Sequence, residues 1–187
     1  MYARKESKMK KGIFIYNPKE MCEDHVIAWK VDNLYNSFEA QQKPTDGLTM
    51  FRKEFDAKDV VAATLELTSL GIVEAYVNGV RVGERVGAET VYDELKPGWT
   101  DYNERVFEFT YDVTHLIRKG INDIVLIVSK GWWGGRISFG VYGNRPTAAC
   151  ACLALTKKNG ECELVATDTD WSTTIGGPVL AADIYDG

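Results

Sequence analysis

Asn78-Gly79, set between the alternating runs 73–77 and 80–83, is the feature that most restricts what this chain can fold into. A type I′ turn needs positive φ at both central residues, and Asn followed by Gly supplies it at little steric cost. Such a turn carries the twist of paired strands, so residues 73–83 (VEAYVNGVRVG) predict a β-hairpin. The same grammar recurs along the chain. Residues 50–55 precede a turn at 57–59, and 62–68 (AATLELT) and 105–111 (RVFEFTY) alternate with period two. The nearly continuous apolar run 122–129 (NDIVLIVS) predicts a central core strand. Residues 147–156 and 161–166 flank Lys158-Asn159-Gly160, a second hairpin turn. Residues 112–119 predict one helical turn, capped by Asp112 or Thr114 and closed by Gly120. No amphipathic helix longer than about three turns is visible. With 17 Gly, nine Tyr, seven Phe and five Trp, composition leans the same way. The expected fold is all-β: a jelly-roll-like antiparallel β-sandwich of the galactose-binding-like kind.

The 187 residues suit one such domain preceded by an extension, and 45% hydrophobic content is enough for a sizeable core. Residues 1–48 are assigned to the extension, partly disordered or packing on the sandwich, and residues 49–187 to the sandwich. Within the extension, 1–11 is charged, 26–38 has mixed periodicity and 41–47 (QQKPTDG) has loop composition. A net charge of −5 argues against a nucleic-acid partner, which asks for a basic face. No stretch approaches the roughly 20 apolar residues that span a membrane. The basic start is followed by Lys19, Glu20, Glu23 and Asp24 in place of a signal core, so the expected location is cytoplasmic. Of the four cysteines, Cys150 and Cys152 share one face of a strand, where their spacing disfavours a bridge between them. No Cys/His spacing suits zinc, and the expected role of the cysteines is structural, in a reducing compartment.

Chemistry is expected in two segments that break the alternation, 96–103 (KPGWTDYN) and 131–146 (GWWGGRISFGVYGNRP). Both combine glycine with aromatics and amides, as binding loops between strands do. These segments also carry a resemblance. Taken with 51–55 (FRKEF), 71–83, 95–117, 167–174 (TDTDWSTT) and 176–187 (GGPVLAADIYDG), they resemble the N-terminal domain of bacterial α-L-rhamnosidases. The likeness runs from about residue 49 to 187. It implies a jelly-roll domain placed before a helical barrel, whose carboxylates hydrolyse terminal rhamnosides with inversion. It further implies that this chain ends before that catalytic domain, which would be its partner in the full-length protein. The chain's own acidic residues agree: they are scattered, with Glu66 and Glu108 at alternating positions that read as solvent-facing, and no acid–base pair can be nominated. No catalytic residue is therefore assigned.

Some domains similar to this one bind rhamnose through calcium, so the resemblance also implies rhamnose-bearing glycans as a second partner. Calcium prefers several oxygen ligands, and Asp101, Asn103 and Asn144 are the candidates. Trp99, Tyr102, Trp132, Trp133 and Arg136 are the candidate sugar contacts, an indole face suiting the methyl-bearing side of a deoxy sugar. The competing assignment makes Trp99 a packing anchor at the sandwich end, turns Trp132 and Trp133 toward the next domain, and leaves Asp101 capping a turn.

Overall fold

The computed structural model describes residues 12–21, 48–102, 104–133, 136–137, 140–141, 146–177, 179–181 and 184–185. The readings of residues 1–11, 26–38 and 41–47 fall outside these, as does Cys22. Sixteen strands occur among the described residues: β1 (Ile15–Tyr16), β2 (Leu48–Ala57), β3 (Val60–Leu70), β4 (Ile72–Val77), β5 (Val80–Arg81), β6 (Glu84–Val86), β7 (Glu89–Val91), β8 (Phe109–Asp112), β9 (Gly120–Ser129), β10 (Arg136–Ile137), β11 (Gly140–Val141), β12 (Ala148–Lys157), β13 (Cys162–Ala166), β14 (Ser172–Gly176), β15 (Val179–Ala181) and β16 (Ile184–Tyr185). The described helix is confined to two short 3₁₀ turns, Pro18–Met21 and Thr114–Leu116.

Two antiparallel sheets form the sandwich. One runs β1-β12-β3-β8, with β13 also on β12; the other runs β14-β2-β9-β4-β5. Period-two alternation places one face of each sheet in a shared core. Phe51 and Phe55 of β2, Val73, Ala75 and Val77 of β4, and Ile124, Leu126 and Val128 of β9 form one wall. Ala63, Leu65 and Leu67 of β3, Leu153 and Leu155 of β12, and Tyr111 of β8 form the other. Asn78 and Gly79 sit at φ 51° and 76°, the positive values the hairpin requires. In β9 the burial alternates: Ile124, Leu126 and Val128 face inward, whereas Ile121 is 71% exposed, so the apolar run is not buried on both sides.

Three local expectations are corrected. The strand read at 105–111 is regular only over Phe109–Asp112. The ladder to β3 ends at Leu67 opposite Phe109, because hydroxyls take the next carbonyls: Thr68 Oγ1 donates to Phe107 O (2.7 Å) and Thr100 Oγ1 to Arg105 O (2.6 Å). Glu108 is not the solvent-facing residue expected, since one of its carboxylate oxygens is buried near the Cys150 thiol. The segment 131–146 holds a two-residue hairpin, β10 with β11, where no strand was read. Cys150 and Cys152 do share a face, opposite Thr68 and Glu66 of β3; both are buried, and burial pushes the Cys150 thiol up.

The segment 12–21 straps the two sheets together. Ile15 and Tyr16 pair with Ala149 and Ala148 of β12, while Asn17 donates from Nδ2 to Thr173 Oγ1 of β14 in the other sheet (3.2 Å). Glu20 Oε2 then accepts from two buried hydroxyls, Thr49 of β2 (2.9 Å) and Thr147 just before β12 (2.8 Å). One carboxylate thus joins both layers. Removing it orphans two buried hydroxyls, so Glu20→Ala is expected to cost about 2 kcal/mol, read from the urea midpoint at unchanged slope. Glu20→Gln keeps one acceptor and should recover most of that loss.

Candidate functional site

The loop end of the sandwich is organised by the stretch that follows β7. Strand β4 pairs with β9 on one side, but β5 covers only Tyr76 and Val77 on the other. The open edge is closed by single bonds: Val82 N–H donates to Ala75 O (2.8 Å) and Val73 N–H to Lys96 O (2.8 Å). An exposed edge invites foreign pairing, and this stretch covers it.

Closing the edge carries Lys96 inward, where its side chain is wholly buried. Its Nζ donates to Glu74 Oε2 (3.0 Å) and to the Asp93 carbonyl (3.1 Å). Arg81 grips the same carboxylate with a fork, Nε to Oε2 at 2.8 Å and Nη2 to Oε1 at 2.9 Å, and also reaches Glu94 (3.1 Å). Partial burial pushes the Glu74 carboxyl up, but the bonds and charges of Arg81 and Lys96 outweigh it and hold the group below its ordinary value. Arg81 stacks on the Tyr92 ring, 4.5 Å from its centroid. Alongside, Tyr111 donates its hydroxyl to Asp93 Oδ2 (2.8 Å). Burial first, and then that bond, push the Tyr111 phenol well up. A group whose folded value is raised contributes fully below its unfolded value, near pH 10, and loses the contribution as pH climbs through the folded value. Tyr111 is therefore expected to stay protonated in the folded chain well above the range where an ordinary phenol ionises. A 295 nm titration should show a late phenol that Tyr111→Phe removes.

The two loops singled out in the sequence do meet. Tyr102, in a turn closed by Glu104 N–H and Arg105 N–H on Asp101 O (both 2.9 Å), sets its ring edge-on to Trp133, centroids 5.2 Å apart at 77°. Trp133 Nε1 donates to Pro146 O (3.0 Å), fixing the indole at the entry to β12. Trp132 and Trp133 are partly buried, whereas Trp99 is 54% exposed and so does not close the sandwich end. The Tyr102 hydroxyl is buried with no hydrogen-bond partner among the described residues, and burial raises its phenol. Arg136 lies in the β10–β11 hairpin, while Asn103 and Asn144 fall outside the described residues. Asp101 is exposed, and its carbonyl is the atom that closes the turn. Calcium takes roughly six to eight oxygens, and among the described residues no three His, Cys, Asp or Glu side chains form a group that could hold a metal.

What sequence reasoning missed is the Glu74–Arg81–Lys96 network. Half of it was readable: with Asn78-Gly79 as the turn, Tyr76 falls opposite Arg81, which places Glu74 diagonally across on the same face. A lysine in a proline-bearing loop gives no sign of burial.

An antiparallel two-sheet sandwich, with paired aromatic loops at one end, defines the class: an all-β sandwich domain. Comparison narrows it. Residues 58–187 match the family model described as the alpha-L-rhamnosidase N-terminal domain. The chain belongs to that family. An α-L-rhamnosidase of Streptomyces avermitilis is 41% identical over 133 residues, covering 70% of this chain and 12% of that protein. One from Alteromonas is 36% identical over 132 residues, 70% of this chain and 14% of that one. Among solved structures, the S. avermitilis enzyme complexed with L-rhamnose superposes with a TM-score of 0.64 at 38% identity, over 73% of this chain and 13% of that one. The native Aspergillus terreus enzyme gives 0.63 at 36%, over 75% and 16%. The match thus spans between 12% and 14% of the length of the curated relatives.

Proposed function

We propose that this chain is a non-catalytic accessory domain that packs against, and orients, the catalytic domain of a longer α-L-rhamnosidase. The observation that carries this reading is the use to which the chain puts its carboxylates Glu74, Asp93 and Glu20. Inverting hydrolysis needs one carboxyl kept protonated and a second roughly 6.5–9.5 Å away across the sugar. Glu74 has the opposite character, held ionised between Arg81 and Lys96. Asp93 serves Tyr111, and Glu20 staples the two sheets. These groups are scaffold. The relatives' far greater length leaves ample chain for a separate catalytic domain.

The test compares the longer polypeptide with and without residues 1–187. Losing a packed domain removes native-state contacts, so thermal inactivation should quicken by about tenfold or more. Unchanged inactivation and unchanged activity would overturn the reading.

Sugar binding is a second reading, favoured by the Tyr102–Trp133 contact that joins the two aromatic loops. Calorimetric titration of the chain with L-rhamnose, with and without calcium, decides it. Heat that saturates at millimolar sugar supports binding, and a flat trace at that concentration ends it.

A further inference from the structure

The stretch that closes the β4 edge inverts the usual rule of burial. It buries a lysine, with Lys96 1% exposed, and turns large apolar side chains outward: Val91 51%, Tyr92 38%, Leu95 53% and Trp99 54%. Lysine is among the residues least often fully buried, and four large apolar side chains exposed within nine residues mark a contact surface. The backbone takes on strain to hold this arrangement. Leu95 sits at φ 54°, a conformation that asparagine or glycine adopts readily and leucine rarely. Gly98 N–H closes the turn on Leu95 O (2.8 Å), while the bonds of Lys96 to Glu74 and Asp93 pin it from inside. Strain at an exposed apolar residue brings the isolated domain nothing, and it is the kind of outlier from which a function is inferred.

The charges around the ridge indicate what covers it. Exposed acidic residues surround it, Glu84 and Glu89 before it, Asp93 and Glu94 between its apolar side chains, and Asp101 and Glu104 after it. Their exposed basic counterparts over the same stretch are Arg85 and Arg105. A second copy of the chain would set this acidic rim against itself, which costs affinity. The fitting occupant is apolar at its centre and basic at its rim.

We propose that the ridge 91–99 is the face by which this domain docks on the catalytic part of the same polypeptide, through an apolar surface of that part rimmed by lysine and arginine. The proposal rests on the accessory-domain reading above and names its surface. The relatives supply the room for such an occupant, since most of their length lies outside this domain.

Hydroxyl-radical footprinting of the 187-residue chain and of the longer polypeptide, read residue by residue by mass spectrometry, tests it. Oxidation of Leu95 and Trp99 should fall by roughly fivefold or more in the longer polypeptide, as at the dry centre of an interface. Ile121, at the far end of β9, should not change. Leu95→Asn relieves the backbone strain, so the variant 187-residue chain should melt at the same temperature or higher. In the longer polypeptide the same variant should return Trp99 oxidation toward the level of the free domain. Protection on another surface would overturn this docking face and leave the accessory reading standing. No protection anywhere would overturn both. Protection of Trp99 in the 187-residue chain that rises with its concentration, or on adding L-rhamnose and calcium, would assign the ridge to self-association or to sugar and overturn the proposal.

Discussion

A chain shortened to residues 58–187, the stretch matched by the family model, is expected not to fold on its own. The cut removes β2, which lies between β14 and β9 in the middle of its sheet and pairs with β9 from Thr49–Val128 to Ala57–Gly120. Phe51 and Phe55 leave the core with it, and each large-to-small core loss typically costs about 3–5 kcal/mol. The strap goes too, with its Glu20 bonds to both sheets. The two core losses, the exposed edges of β14 and β9 and the lost strap together are comparable to the roughly 5–15 kcal/mol by which a domain is stable. Circular dichroism should show no cooperative melt for 58–187 beside a sharp one for the full chain. A cooperative melt of the short chain at a similar temperature would mean that β2 is dispensable.

Replacing Glu74 by alanine should cost about 3 kcal/mol, the lower part of the range for breaking a buried pair, because Glu74 itself is partly exposed. The loss comes mainly from Lys96. Its buried ammonium would keep the Asp93 carbonyl alone, whereas Arg81 would still reach Glu94. Replacing both partners, Glu74→Ala with Lys96→Met, removes the stranded charge and should restore most of the stability. The pH dependence has a fixed sign. A carboxyl held below its ordinary value contributes fully above about pH 4.3 and loses that contribution as pH falls through the folded value. The gap between the wild-type chain and Glu74→Ala should therefore narrow in acid and stay constant from pH 5 to 8. Urea unfolding at pH 7 and pH 3 measures both quantities. An equal gap at the two values would show that the carboxylate's charge is not what holds Lys96.

The sandwich was legible because its determinants are local. Asn78-Gly79 specifies a turn by its own backbone preferences, and the alternation in 62–68 and 147–156 carries through the ladder of β3 with β12. The misreadings occur where the alternating pattern is overridden or absent. Residues 105–108 alternate like a strand, yet the carbonyls of Arg105 and Phe107 are taken by the hydroxyls of Thr100 and Thr68. Glu108 follows the same alternation, but its segment runs against the Cys150 face instead of open solvent. Val86 and Glu89 pair in a small hairpin, β6 with β7, that lacks any apolar pattern to announce it.

The site shows the same division. Glycine and tryptophan marked the two loops, and the structure brings them together through Tyr102 and Trp133. Trp99 was equally conspicuous, but its exposure depends on which way the turn at Leu95 throws it, and a leucine does not advertise positive φ. Lys96 was invisible for a related reason: it is buried because Glu74 and Arg81 wait beneath the β4 edge, an arrangement made only when β4, β5 and the 93–98 stretch close on one another.

Turnover by the purified 187-residue chain separates an accessory domain from an enzyme. Incubated at micromolar concentration with an aryl α-L-rhamnoside, it is expected to release no aglycone above the buffer rate, while the longer polypeptide hydrolyses the same compound. Release that scales with the amount of the 187-residue chain and saturates with substrate would overturn the non-catalytic reading, because the chain would then hold its own acid and base.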